Sequence, residues 1–269
     1  MAFYIKRGDE AAKKYSAIKF VNLSNKMSET FYTMSLKTIN CWATLLSNYT
    51  NQIGINEYYK TIKALGKGVS AEVYLTERLS DGKLFAVKVF NKTKNNKKCQ
   101  VIDGLIQEAF ENEIKILRLL NHPNIMKLYS VFISSEYIFA ILEYLSGGTL
   151  FDEVKINQEH KQRYSRNQEM KIAHDLISGI EHLRIKRIVH RDIKLENILI
   201  RPAGATQEKG YVICDFGLAT WIDEDSYIFE KCGTPGYIAP EILGAAKNQS
   251  VKVDCKVDVF SLGCILHVV

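Results

Sequence analysis

The spacing of apolar positions along the chain changes near residue 57. Before it, AIKFVN and TFYTMSL alternate as two strands around a polar turn, and Ile39, Trp42, Leu46, Tyr49 and Ile53 fall at helical spacing, a stripe expected to pack on a core. From Tyr58 onward short β-patterned runs follow one another: YYKTIKALGKG, AEVYLTERL and KLFAVKVF. Asp81-Gly82 separates the last two, and such a pair between alternating runs predicts a hairpin. A helix is predicted through Ile106, Phe110, Ile114, Leu117 and Leu120. Asn121-His122-Pro123 ends it, since proline and its predecessor both resist helix. IMKLYSVFI and YIFAILEYL read as two further strands that stop at Ser146-Gly147-Gly148. Beyond that joint Ala173, Leu176, Ile177, Ile180 and Leu183 recur at helix spacing, and no long β run returns until ENILI and YVICDF. The pattern predicts an α+β chain, β-rich first and α-rich second.

Composition narrows the class. With 269 residues, 46% apolar and 25% charged, the chain has the profile of a soluble globular protein long enough for one large domain or one and a half, which excludes disorder and collagen. No run approaches the ~18 apolar residues of a spanning helix, and MAFYIKRGDEAAKKY lacks the apolar core of a signal peptide. Cys41, Cys99, Cys214, Cys232, Cys255 and Cys264 form no C-x-x-C pair and no metal-ligand spacing. The expected location is therefore a reduced, cytoplasmic compartment. A net charge of +6 suits phosphate or an anionic surface and is too weak and too scattered to argue for nucleic acid. Lys92, Lys94, Lys97 and Lys98, set among asparagines, read as a solvated loop.

Candidate chemistry sits at a few points. Gly66-Lys67-Gly68-Val69-Ser70-Ala71-Glu72-Val73 lies between two strand-like runs, where its glycines would let backbone N–H groups close over phosphates; alone it is as often a mere turn. A dinucleotide fingerprint would need a helix after it, which the pattern denies. Lys88, in Ala86-Val87-Lys88-Val89, is either an outward strand lysine or a phosphate-pairing one. Glu113 is either a solvated helix residue or a buried carboxylate that needs a cation, for which Lys88 is the natural partner. His190-Arg191-Asp192-Ile193-Lys194-Leu195-Glu196-Asn197 packs a base, a cation and an amide ligand together, followed by Asp215-Phe216-Gly217 and Ala239-Pro240-Glu241.

In order and spacing these motifs resemble those of a eukaryotic protein kinase, over residues 58–269. The resemblance implies a bilobal α+β fold, with a β-rich N-lobe at 58–145 and a mainly helical C-lobe at 146–269 that is incomplete after the start of its central helix. It implies ATP and Mg2+ as cofactors. Leu65, Gly66, Lys67 and Gly68 would bind the nucleotide, with the glycines over its phosphates, and Lys88 would hold the α and β phosphates while paired with Glu113. Val73, Ala86 and Leu199 would sandwich the adenine, Leu142 would guard the back pocket, and the backbone of residues 143–145, Glu143 and Leu145 included, would bond its edge. Asp192 would orient the substrate hydroxyl and take its proton. Lys194 would steady the γ-phosphate, Thr234 would bridge Asp192 and Lys194, and Asn197 and Asp215 would ligate the metal.

Lys194, with Gly233-Thr234-Pro235-Gly236-Tyr237, resembles serine/threonine kinases, and SGGTLFDEV and CGTPGYIAPEIL look most like the calcium/calmodulin-dependent group. Protein substrates bearing Ser or Thr are the implied partners, and Glu196 could favour basic residues near the acceptor. Calmodulin is not supported, because no binding helix follows the kinase region in this chain. Ala71 stands where the family has a third glycine, Leu195 where proline is usual, and Thr149 where a ribose-contacting acid is common. Glu230 occupies the place of an activating phosphothreonine and is either a partial phosphate mimic that pairs with Arg191 or an extension of the acidic stretch Asp223, Glu224, Asp225. The helix opened by Asp258-Val259-Phe260-Ser261-Leu262-Gly263 stops at Val269, which predicts a truncated C-lobe with Val257, Phe260, Leu262, Ile265 and Leu266 partly uncovered. Residues 1–57 stand apart, resembling the end of a pleckstrin-homology domain, or else form an extension docking on the small lobe. The expected function is an ATP-dependent serine/threonine kinase; the alternative is a catalytically weak nucleotide-binding or decoy protein.

Overall fold

Residues 1–103 and 128–144 gather into one unit and residues 104–127 and 145–269 into a second. The structure is a computed structural model that describes residues 2–7, 16–21, 27–33, 35–47, 51–68, 71–92, 100–204, 209–222, 224, 227–229, 232–244 and 253–269. The expectations placed on Tyr49 and on Lys94, Lys97 and Lys98 fall outside these residues.

In the first unit β1 (Ala2–Arg7), β2 (Ser16–Val21) and β3 (Ser28–Thr33) are followed by α1 (Leu36–Ser47) and a short β4 (Asn51–Gln52). β2 and β3 are the two alternating runs read from the sequence; β1 was not anticipated, and α1 ends before Ile53. Then come β5 (Tyr59–Lys67), β6 (Glu72–Arg78) and β7 (Leu84–Asn91), and after α2 (Gln100–Leu119) the strands β8 (Leu128–Ile133) and β9 (Tyr137–Glu143). Among the described residues nine strands form one sheet in the order β3-β2-β1-β4-β8-β9-β7-β6-β5. β1 lies antiparallel to β2 and parallel to β4, and β4 joins β8 through Gln52 opposite Phe132. The amino-terminal strands therefore extend the sheet of residues 59–143.

The β6–β7 hairpin forms where Asp81-Gly82 predicted it. Gly82 takes a φ of 70°, and Arg78 grips both oxygens of Asp81 at 2.8 and 2.6 Å, which holds that carboxyl down at about 2. One face of the sheet closes over Tyr59, Phe85, Val87, Phe132 and Ile141, and Tyr59 meets Phe85 and Phe132 edge-on at 5.6 and 5.9 Å.

The second unit carries α2 from Gly104 onward, then α3 (Leu150–Glu159), α4 (Arg166–Ile185), β10 (Ile188–Val189), β11 (Ile198–Arg201), β12 (Gly210–Ile213), β13 (Thr220–Trp221), α5 (Pro240–Gly244) and α6 (Lys256–Val268). Both α3 and α4 start at a reciprocal capping box, Thr149 with Asp152 and Ser165 with Gln168, which satisfies amide donors a helix start leaves open. α4 buries Ile172, Leu176, Gly179, Ile180 and Leu183; Ile177 lies off that stripe and is exposed. Gly179 lets α4 lie close to β12, since a Cβ there would come within 2.8 Å of Ile213 Cδ1. Ile125 and Met126 belong to no strand but dock on β12, with Met126 N–H donating to the Ile213 carbonyl at 2.8 Å.

Gly147 is the tightest point. Its N–H donates to the Ile200 carbonyl at 3.1 Å, and a Cβ would lie 2.4 Å from that oxygen. Gly147→Ala must therefore displace backbone rather than a side-chain tip. The expected result is a loss of about 2 kcal/mol, read as a Tm lower by about 5 °C, whereas Gly263→Ala, whose Cβ would meet nothing within 4 Å among the described residues, should leave the Tm in place.

Candidate active site

The expected site residues fall into two sets, one in each unit. In the first, Leu65, Gly66, Lys67 and Gly68 form the tip of the β5–β6 hairpin, closed by Gly68 N–H on the Ala71 carbonyl at 2.9 Å; Val69 and Ser70 lie outside the described residues. Among the described residues a Cβ on Gly66 would meet nothing within 4 Å. Val73 stands opposite Lys88, Lys88 opposite Ala140, and Ala86 opposite Leu142. Side chains alternate along a strand, so Val73, Ala86, Lys88 and Leu142 share one face, while Phe85 and Val87 turn to the apolar cluster on the other. Glu143 pairs with Phe85 at the end of β9.

In the second unit the loop between β10 and β11 presents Asp192, Lys194 and Asn197. Asp192 Oδ1 accepts from the Thr234 hydroxyl at 2.7 Å; Oδ2 accepts from Asn197 Nδ2 at 3.0 Å and meets Lys194 Nζ at 2.8 Å. Lys194 also donates to Thr234 Oγ1 at 2.7 Å, so Thr234 lies between acid and base. The Asn197 NH2 is taken up by the carboxylate and by the Asp192 carbonyl at 2.9 Å, which leaves the amide oxygen as the end able to meet a cation. The Asn197 carbonyl accepts Cys214 N–H at 2.9 Å, tying the loop to the residue before Asp215, which takes a φ of 62°. Leu199 lies on β11 opposite Val212, Leu145 is buried, and Glu113 on α2 is only 4% exposed, a position where a carboxylate needs a partner.

Two residues outside the expected set hold this loop. Asp258, at the head of α6 and 1% exposed, accepts His190 N–H at 2.7 Å and Arg191 N–H at 2.9 Å. Burial pushes its carboxyl up, against those two bonds and against His190 and Arg191, which favour the anion. His190 accepts Asp192 N–H on Nδ1 at 3.2 Å, so its Nε2 carries the proton and donates to the Cys214 carbonyl at 3.0 Å. The sequence signal for Asp258 is a lone carboxylate at the start of an otherwise apolar helix. Arg191 takes a φ of 67°. Asp223, Asp225 and Glu230, the last read as a phosphate mimic facing Arg191, lie outside the described residues.

Among the described residues no three His, Cys, Asp or Glu side chains could hold a metal by themselves. Hard oxygen donors suit magnesium, and the Asn197 amide oxygen and the Asp215 carboxylate are donors of that kind.

A family model described as the protein kinase domain matches residues 59–269. The chain belongs to the protein kinase family. It is 36% identical over 223 residues to serine/threonine-protein kinase cds1 of Schizosaccharomyces pombe, covering 79% of this chain and 44% of that protein. It is 33% identical over 217 residues to CBL-interacting protein kinase 11 of Oryza sativa, covering 78% and 39%, and 33% identical over 218 residues to calcium-dependent protein kinase 4 of Plasmodium berghei, covering 81% and 38%. The chain thus spans about two fifths of the length of these relatives. They agree with the serine/threonine signature of the kinase motifs and with a group like the calcium/calmodulin-dependent kinases. The β-rich part of the kinase fold lies in the first unit and the helix-rich part in the second, with residues 104–127, expected in the N-lobe, grouping with the second; among the described residues no helix is long and apolar enough to cross a membrane.

Proposed function

We propose that this chain carries an ATP-dependent protein serine/threonine kinase activity in which Asp192 is the base. The observation that supports it most is the set of donors around that carboxylate: Thr234 on one oxygen, Lys194 and Asn197 on the other. They orient the group so that a lone pair can face a substrate hydroxyl. As the hydroxyl oxygen bonds to the γ-phosphorus and the bond to the β–γ bridging oxygen breaks, the hydroxyl proton passes to Asp192, and a phosphate ester and ADP result. Lys194 places a cation beside the transferring group, and Thr234 keeps its ammonium at a fixed distance from Asp192. Lys88, on the same strand face as Val73, Ala86 and Leu142, is the residue for the α and β phosphates. Asn197 and Asp215 would hold magnesium, which supplies neutralisation of phosphate charge.

Cytoplasmic location, Ser- or Thr-bearing protein substrates and a kinase domain at residues 58–269 belong to the same reading. The pairing of Gln52 with Phe132 supports residues 1–57 as an extension docked on the small sheet.

Two measurements test the proposal. Transfer of labelled γ-phosphate to a generic basic protein should appear on Ser or Thr and not on Tyr. ATP with Mg2+ at about 100 times Kd should stabilise the chain by about 2.7 kcal/mol, a Tm rise of about 7 °C. Stabilisation without transfer would replace the kinase reading by nucleotide binding alone; neither effect would remove both.

A further inference from the structure

The residue before the proposed base, Arg191, is buried, and among the described residues its guanidinium is met by carbonyls and a ring rather than by an anion. Nε donates to the Leu218 carbonyl at 2.7 Å and a terminal nitrogen to the Phe229 carbonyl at 2.7 Å. Its central carbon lies 5.2 Å from the centroid of the Tyr227 ring. Among the described residues no carboxylate forms an ion pair with it; burial pushes the guanidinium down, and Cys232, Tyr227, Asp258 and Glu224 oppose that from nearby. Arginine keeps its charge in such a place, so the desolvated cation must be met by something, and a ring face with its negative quadrupole can meet it.

Leu218 and Phe229 bracket the stretch that follows Asp215-Phe216-Gly217, so one guanidinium grips both ends of it. Tyr227 then fastens that stretch elsewhere. Its hydroxyl accepts Val253 N–H at 3.2 Å, and its ring packs on Val189, Ala239, Ile242, Val253 and Val257, close to the start of α6. The same side chain thus touches the arginine of the catalytic loop and the support beneath it.

We propose that Tyr227 is a positioning residue that, through Arg191, ties Leu218 and Phe229 to the catalytic loop, a tie that needs no phosphate on the chain. The inference rests on the kinase reading for its effect on rate, and on geometry alone for the anchoring.

The experiment uses the full chain made in bacteria and treated with phosphatase, its mass checked for the absence of phosphate. Tyr227→Phe keeps the ring and loses the hydroxyl; Tyr227→Leu keeps apolar volume and loses the ring. With ATP and a basic protein substrate, Phe should stay within about twofold of the parent, while Leu should lower kcat about tenfold with the KM for ATP unchanged. That ratio corresponds to about 1.4 kcal/mol, within the range for a desolvated cation over a ring. A Trp42→Phe background leaves Trp221 as the sole tryptophan, two residues beyond Ala219, whose carbonyl is held by Asn112. Acrylamide quenching of Trp221 should rise in the Leu variant and not in the Phe variant, with Tm shifts too small to explain it. Equal quenching in the parent and both variants, or tight packing that appears only after phosphorylation, overturns the proposal. Should the parent transfer no phosphate, quenching alone decides the anchoring, and the missing transfer counts against the kinase reading.

Discussion

Asp192→Asn is expected to cut phosphoryl transfer by about a thousandfold while leaving the KM for ATP within about twofold. The substitution is isosteric, so its effect isolates the charge and the proton-accepting lone pair. In the parent, Oδ2 faces two donors, Lys194 Nζ at 2.8 Å and Asn197 Nδ2 at 3.0 Å, and Oδ1 faces the Thr234 hydroxyl at 2.7 Å. An amide can keep an oxygen toward only one side; its NH2 then meets donors, and the hydroxyl proton of the substrate has no acceptor. Val73, Ala86 and Lys88, the residues proposed for the nucleotide, lie on another unit's strands and are unchanged by the substitution, which is why the loss should fall on kcat. Steady-state kinetics on a protein shown by its Tm to be folded makes the measurement. A variant within threefold of the parent would rule Asp192 out as the base.

What could be read from the sequence, and what could not, divides by the range of the interaction. Period-two runs and the Asp81-Gly82 turn locate β5 to β7 because a strand and a tight turn are chosen by neighbouring residues. The same rule misses β1, whose Ala2 pairs with Val21 and Asn51, since neither partner leaves a trace in the first residues themselves. Ile177 shares the helical spacing of Leu176, Ile180 and Leu183 yet is exposed, because Ile172 and Gly179 help set the face that packs, and glycine carries no hydropathic signal. At the site, motif order brought Asp192, Lys194, Asn197 and Thr234 into view together, and the geometry gathers them. Nothing periodic ties His190 and Arg191 to Asp258, 68 and 67 residues away, nor Arg191 to the Tyr227 ring. Bonds from backbone amides to a distant carboxylate depend on the finished fold, not on the identity of the residues that donate.

That distant carboxylate carries the largest stability effect expected in the chain. Asp258→Ala should remove about 4 kcal/mol, a Tm lower by about 10 °C, because it leaves the N–H groups of His190 and Arg191 buried without acceptors, each at a cost of ~1–3 kcal/mol, and opens a small void beside α6. Asp258→Asn should fall between Ala and the parent. Its oxygen can satisfy one amide, and its NH2 opposes the other. Burial pushes the Asp258 carboxyl up, so what the residue contributes there is the two bonds it accepts rather than a favourable charge. Those bonds hold the backbone immediately before Asp192, and His190 carries the constraint on to Cys214 and so toward Asp215. At a temperature where the Asn variant is still folded, kcat should therefore fall by about tenfold with the KM for ATP unchanged, the signature of a misplaced Asp192 and Asp215 in the roles proposed for them rather than of weakened nucleotide binding. Thermal unfolding of the three proteins, followed by kinetics on the Asn variant, reads both effects. An Ala variant within 2 °C of the parent would mean that the amides of residues 190 and 191 find other acceptors and that α6 is not what holds the catalytic loop.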